Sequence, residues 1–177
     1  MRILNIIIVF TIFSCSNIEP RYAINHIKHS NNNTPSILKN IIEEQDQIVN
    51  NYLTDYPDYN YINSKKGFWY YFNEEKKIND KKANFGDLIE FNYSVKGLDN
   101  NIIYDIQTVG DQSYMMDKQQ IFTGLNDALK ILKTGEIGTF IFPSYKAYGI
   151  YGDLNKISPN TAIICTIKVN SINSIKN

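Results

Sequence analysis

Near its C-terminal end the chain reads FPSYKAYG, Phe142 to Gly149, between two apolar runs. A loop uses proline and glycine for its shape, but it has no general need for aromatic rings. Tyr145 and Tyr148 therefore pose a question: either the rings only pack, or one of them belongs to a surface that binds something. The flanking runs are strand-like. IGTFIF (137–142) precedes the loop, TAIICTIKV (161–169) follows it, and both are rich in β-branched or aromatic residues.

Working outward, LIEFNYSV sets Leu88, Glu90, Asn92 and Ser94 against Ile89, Phe91, Tyr93 and Val95, the alternation of a strand with one apolar face. GLDNN (97–101) reads as a hairpin turn, and Ile102 to Ile106 can pair back. GFWYYF (67–72) is a further strand. Ile121, Leu125, Ala128, Leu129 and Leu132 recur at helical spacing over 121–132, and Gly135 stops that helix. A mostly antiparallel sheet with one covering helix makes residues 66–177 an α+β domain.

Ahead of it, residues 34–65 form a helical segment. Thr34 can cap TPSILKNIIEEQDQIVNNYL and Pro35 suits its first turn. Ile37, Leu38, Ile41, Ile42, Ile48, Val49, Tyr52 and Leu53 make an amphipathic stripe, Glu43, Glu44 and Asp46 a solvated face, and Pro57 ends the region. The stripe must cover the following domain, a second copy (a homodimer through residues 35–53) or a client.

Basic and acidic residues number 18 each, so no net field draws in nucleic acid. Residues 1–14 read as a signal peptide: Met1-Arg2 gives a positive start and Ile3–Phe13 an apolar run too short for a bilayer span. The run ends in IFSC, which resembles a bacterial lipobox and implies cleavage before Cys15 and lipidation there. An ordinary signal peptide with an unrelated cysteine is the alternative. Residues 16–33 are polar and Asn-rich, so 15–33 reads as a tether. The expected location is the cell envelope, lipid-anchored to a membrane surface. Lipidation of one of the two cysteines leaves Cys165 without an internal disulfide partner, in an apolar run where a small buried hydrophobe is expected. His26 and His29 lie in the polar leader with no third ligand in view, so no metal is expected.

From about Phe85 to Ile172 the order of motifs resembles the FKBP-type peptidyl-prolyl cis-trans isomerases. The resemblance rests on EFNY in a strand, a hairpin with a short apolar anchor, IFTGL at a helix entry, AYG at Ala147–Gly149, KISPNT with an Ile before Pro, and a closing strand. The whole chain, with its lipobox and GFWYYF lead-in, resembles in particular the gliding-motility-associated FKBP-type lipoproteins of Bacteroidetes. The resemblance implies an antiparallel sheet wrapped around one short helix, with an apolar cup whose mouth the AYG loop covers.

Carried over by position, the resemblance makes Tyr93 one wall, Ile103 and Tyr114 further wall residues, Ile121 and Phe122 the helix approach and Leu125 the floor. The Phe122 N–H would bind a peptide carbonyl, and Tyr148 and Ile157 would close the top. Tyr145 would pack below the loop. Departures from the family pattern are Ile103 for Phe, Tyr104 for an Asp with Asp105 one residue late, Gln112 at a rim position often aromatic, Leu125 for Trp and Cys165 for a floor aromatic. Either Tyr104 replaces the missing carboxylate or a bulge brings Asp105 in. These departures bear on the rate of turnover more than on X-Pro binding.

The implied reaction needs no nucleophile, metal or cofactor. Rotation about X-Pro faces a barrier of roughly 18–20 kcal/mol because twisting costs amide resonance. A twisted amide separates less charge than a planar one, so a dry pocket favours the transition state over the substrate. A thousandfold gain takes only about 4 kcal/mol. Proline-containing clients of the envelope are the implied partners. The competing function is a non-catalytic chaperone or structural subunit using the same cup or the N-terminal helix.

Overall fold

The computed structural model describes residues 34–76 and 81–175. The signal peptide, Cys15, the tether and both histidines lie outside the described residues. In chain order the elements are α1 (Thr34–Asp55), β1 (Ile62–Asn63), β2 (Trp69–Glu74), β3 (Leu88–Gly97), β4 (Ile102–Tyr104), α2 (Ile106–Val109), β5 (Gln112–Met115), α3 (Thr123–Leu129), β6 (Ile137–Phe142) and β7 (Ile163–Asn173). Two 3₁₀ turns, Ser144–Lys146 and Gly149–Tyr151, lie between β6 and β7. This is the expected α+β class.

All strand pairings are antiparallel, in the order β1-β2-β6-β7-β3-β4, with β5 also pairing β3. β4 pairs the Val95–Lys96 end of β3 and β5 the Leu88–Phe91 end, so α2 interrupts what would otherwise be one edge strand. The expected pairing strand at 102–106 therefore stops at Tyr104. Asp105 instead caps α2, its carboxylate accepting from the Thr108 N–H at 2.7 Å and the Thr108 hydroxyl at 2.8 Å.

The inner face of β3, β6 and β7 supplies Ile89, Phe91, Val95, Phe140, Phe142, Cys165, Ile167 and Val169, packed with Leu125, Ala128 and Leu129 of α3 and with Leu132. α3 is shorter than the expected 121–132. Phe122 caps it with extended backbone (φ −65°, ψ 146°), which leaves Ile121 and Phe122 outside the helix.

β6 is buried on both faces, which is why its sequence reads as an unbroken apolar run. Its Ile141 joins Ala162, Ile164, Trp69 and Tyr71 in a second core on the outer face, covered by Val49, Tyr52 and Leu53 of α1. The C-terminal part of the helix's stripe thus covers its own domain. Ile37, Leu38 and Ile42, at 57%, 55% and 42% exposure, remain open. The segment expected to be helical to residue 65 leaves the helix at Asp55, and residues 62–63 add a strand beside β2. Ahead of Pro57 the backbone is biased away from helix, and β2 would otherwise be the edge.

Candidate active site

The loop from β6 to β7 is built by its own backbone. Pro143 leaves β6 extended, and Gly149 (φ +62°) and Gly152 (φ +67°) turn the chain back. A Cβ on Gly152 would lie 2.1 Å from the Ile157 carbonyl oxygen, so both conformation and space demand glycine there. Asp153 closes the turn. Its Oδ1 accepts the N–H of Ile157 at 2.8 Å and of Asn155 at 2.9 Å, and its Oδ2 accepts the Tyr104 hydroxyl at 2.5 Å. The loop is thereby tied to β4. Although the carboxyl's burial opposes ionisation, these donors hold it below its ordinary value.

Within this frame Tyr93, Ile103, Tyr104, Ile121, Phe122 and Tyr148, all half-buried, pack against the core that contains Leu125, Ile157 and Cys165. The Phe122 and Tyr148 rings are tilted with centroids 5.0 Å apart, and Phe122 meets Phe142 edge-on at 5.7 Å. Phe91 stacks on Tyr93 at 5.9 Å. Burial, then proximity to Tyr93 and Cys165, pushes the Tyr148 phenol up, and burial does the same at Tyr93. Both remain neutral donors across the physiological range. Burial also pushes the Cys165 thiol up, which keeps it protonated and apolar in character. Lys156 Nζ stands 5.1 Å over the Tyr104 ring, at the edge of the cluster. Among the described residues no three His, Cys, Asp or Glu side chains come together as a metal site.

Of the expected site residues, Tyr114 is buried in the same core as Leu125, Ile157 and Cys165, and Asp105 is placed elsewhere. Tyr114 is at 4% exposure, and its one hydroxyl proton faces Asn126 Oδ1 at 3.0 Å, with the Gln119 carbonyl also near at 3.2 Å. Asp105 is exposed and shares a groove with Ser94, Lys96 and Thr166, which alternate out of the core on the far face of the sheet. The carboxylate that reaches the ring cluster is Asp153, not Asp105, because α2 turns the chain away directly after Tyr104. The local signal for Asp153 is the GD pair followed four residues later by Ile157, the pattern of a side chain accepting from its own loop. Tyr145 is half-buried and donates to Asp46 Oδ1 of α1 at 2.5 Å rather than joining the cluster.

A family model described as FKBP-type peptidyl-prolyl cis-trans isomerase matches residues 79–170. FK506-binding protein 2A of Rhizopus delemar is 35% identical over 54 residues, which are 30% of this chain and 32% of that protein. The alignment thus spans about a third of this curated relative. Among solved structures, a peptidyl-prolyl cis-trans isomerase from Pseudomonas syringae superposes with a TM-score of 0.60 at 20% identity, over 75% of this chain and 96% of that one. FkpA from Escherichia coli gives 0.62 at 18% identity, over 79% and 64%. At these identities the two structures speak for the fold.

Proposed function

Because the chain belongs to the FKBP-type peptidyl-prolyl cis-trans isomerase family, we propose that the ring cluster around Tyr148 binds X-Pro segments of exported or envelope proteins and speeds rotation about the X-Pro bond. The observation that carries this reading is that Tyr93, Phe122 and Tyr148, half-buried, pack on the core that holds Ile157, Leu125 and Cys165, with the Phe122 and Tyr148 rings 5.0 Å apart. Leu125 and Cys165, as the floor, receive the proline ring. Tyr148 donates its hydroxyl, and Phe122 its backbone N–H, to carbonyls of the peptide. Tyr93 and Ile103 form a wall, and Tyr104, held by Asp153, forms the polar rim. Apolar surroundings destabilise the planar, charge-separated amide relative to the twisted one, and fixed donors stabilise the displaced carbonyl. No bond is made or broken.

A refolding protein limited by a cis-proline step tests this. Wild type accelerates that phase, and the double variant Tyr148→Ala with Ile157→Ala does not. Wild type that leaves the phase untouched refutes catalysis.

Ile150, Tyr151 and Leu154, exposed at 51%, 73% and 90% beside Tyr148, favour a second reading. In that reading the same surface holds unfolded clients without turnover, as Tyr104 and Cys165 at family-divergent positions also suggest. Slowed client aggregation with an unchanged proline phase supports it.

We place the protein at the envelope, anchored through lipid on Cys15, and membrane fractionation of a Cys15→Ser variant tests the anchor. The narrower gliding-motility role predicts that a deletion strain loses surface spreading. Ile37, Leu38 and Ile42 of α1 are the surface left for a second copy, which sedimentation velocity of the mature chain would detect.

A further inference from the structure

The loops that close over the ring cluster are held by a residue outside it. Gln45 of α1 is 3% exposed, whereas Gln47, Asn50 and Asn51 of the same helix are exposed. Its Oε1 accepts the Ser144 N–H at 2.9 Å, and its Nε2 donates to the Asn160 carbonyl at 3.0 Å. Ser144 opens the turn that leads to Tyr148, and Asn160 follows Ile157. The Asn160 N–H in turn donates to the Gly149 carbonyl at 2.8 Å. One side-chain amide therefore joins the entry of the loop to its exit, and the loop closes the ring through Gly149. The next residue, Asp46, takes the Tyr145 hydroxyl. Val49, one turn on, packs on Ile141, Ala162 and Ile164, at the roots of the same two segments.

We propose that Gln45 is a positioning residue for the isomerase site: through Ser144 and Asn160 the N-terminal helix sets where Tyr148 and Ile157 stand. The proposal rests on the isomerase reading above. The chemistry requires an amide. Ser144 N–H and Asn160 C=O lie beyond the ends of the β6–β7 ladder; Ser144 is buried, so its N–H needs a partner, whereas Asn160 is an exposed residue whose carbonyl Gln45 holds in a part-buried bond. Glutamine supplies one acceptor and one donor at that reach. A glutamate supplies acceptors only, and a methionine of similar size supplies neither.

The test uses the full mature chain with Gln45→Met, Gln45→Glu and Val49→Ala. Peptide-resolved amide exchange over residues 143–160, steady-state isomerisation of a short X-Pro peptide and thermal melting are measured for each. Gln45→Met is expected to raise exchange in 143–160 about tenfold or more while β3 and β7 keep their protection, and to lower kcat/KM by a comparable factor. Gln45→Glu, which keeps the Ser144 bond and loses the Asn160 bond, falls between wild type and Gln45→Met.

Val49→Ala loosens the same helix and lowers the melting temperature, yet leaves loop exchange and kcat/KM within about twofold of wild type. Loop exchange unchanged in Gln45→Met overturns the proposal, and so does a Val49→Ala variant that reproduces its effects. An inactive wild type refutes the isomerase reading alone, since loop exchange still decides whether Gln45 fixes the loop.

Discussion

The Tyr104 hydroxyl donates to Asp153 Oδ2 across 2.5 Å, joining the edge strand β4 to the loop that carries Ile157. Asp153 accepts two loop N–H groups as well, so one carboxylate holds both the shape of the loop and its attachment to the sheet. The rim of the site is thus set by a pair 49 residues apart in sequence.

That pair predicts a pH signature. Asp153 is held below its ordinary 3.8, so its contribution is fully present above 3.8 and is lost as pH falls through the lower folded-state value. Asp153→Asn should cost about 1–2 kcal/mol at neutral pH. In urea unfolding curves the gap between wild type and variant should narrow below pH 3.8. Asp87, Asp117 and Asp127, also held low, are common to both proteins and cancel in the difference. A gap that stays constant into acid would show that the carboxylate's charge does not matter.

Gly124 bears on the same loop from the helix side. A Cβ there would lie 2.6 Å from the Lys146 carbonyl oxygen and 2.7 Å from the Phe142 ring. Gly124→Ala should cost roughly 1–3 kcal/mol by forcing α3 and the loop apart. It should also lower kcat/KM for an X-Pro peptide, because Tyr148 is two residues beyond Lys146. A variant as stable and active as wild type would mean that the contact relaxes freely.

Leu154 occupies left-handed backbone (φ 59°) at 90% exposure, a costly conformation for a branched apolar residue. Asn tolerates it. Leu154→Asn should raise stability by a few tenths to about 1 kcal/mol and leave turnover of short peptides unchanged. Weaker suppression of client aggregation by the same variant would assign Leu154 to client holding, and unchanged suppression would remove it from that role.

Cys165 is fully buried and its thiol is pushed up by burial. In a Cys15→Ser chain it is the sole thiol, since the sequence has two cysteines. Ellman's reagent should leave it unmodified in the native state and react promptly in denaturant. Fast native labelling would reveal a solvent-open floor, in conflict with a dry proline site.

Much of the inner layer was legible because it is written in local patterns. The alternation of Leu88–Val95, the helical spacing of Leu125, Ala128 and Leu129, and the Pro–Gly loop at 143–149 each state their own conformation. Tyr93, Phe122, Tyr148 and Ile157 came from the order of motifs, and all four belong to or pack against one core. Asp105 misled because a carboxylate next to the expected position looks available until α2 takes it as a cap. Tyr114 lies in the expected core, but strand register does not reveal what its hydroxyl meets: Asn126, twelve residues on.

By itself the sequence determined the main strands, the position of the covering helix and where the loop must turn, since those follow from side-chain spacing and from the backbone freedom of proline and glycine; the short elements β1 and α2 it did not show. Only the tertiary structure decided which carboxylate faces the rings, what Val49, Tyr52 and Leu53 of α1 cover, and that Gln45 bridges Ser144 and Asn160. Those outcomes depend on partners far apart in sequence, 49 residues for Tyr104 and Asp153 and 99 for Gln45 and Ser144. A buried polar group takes whichever partner the fold brings within reach, and no local pattern encodes that.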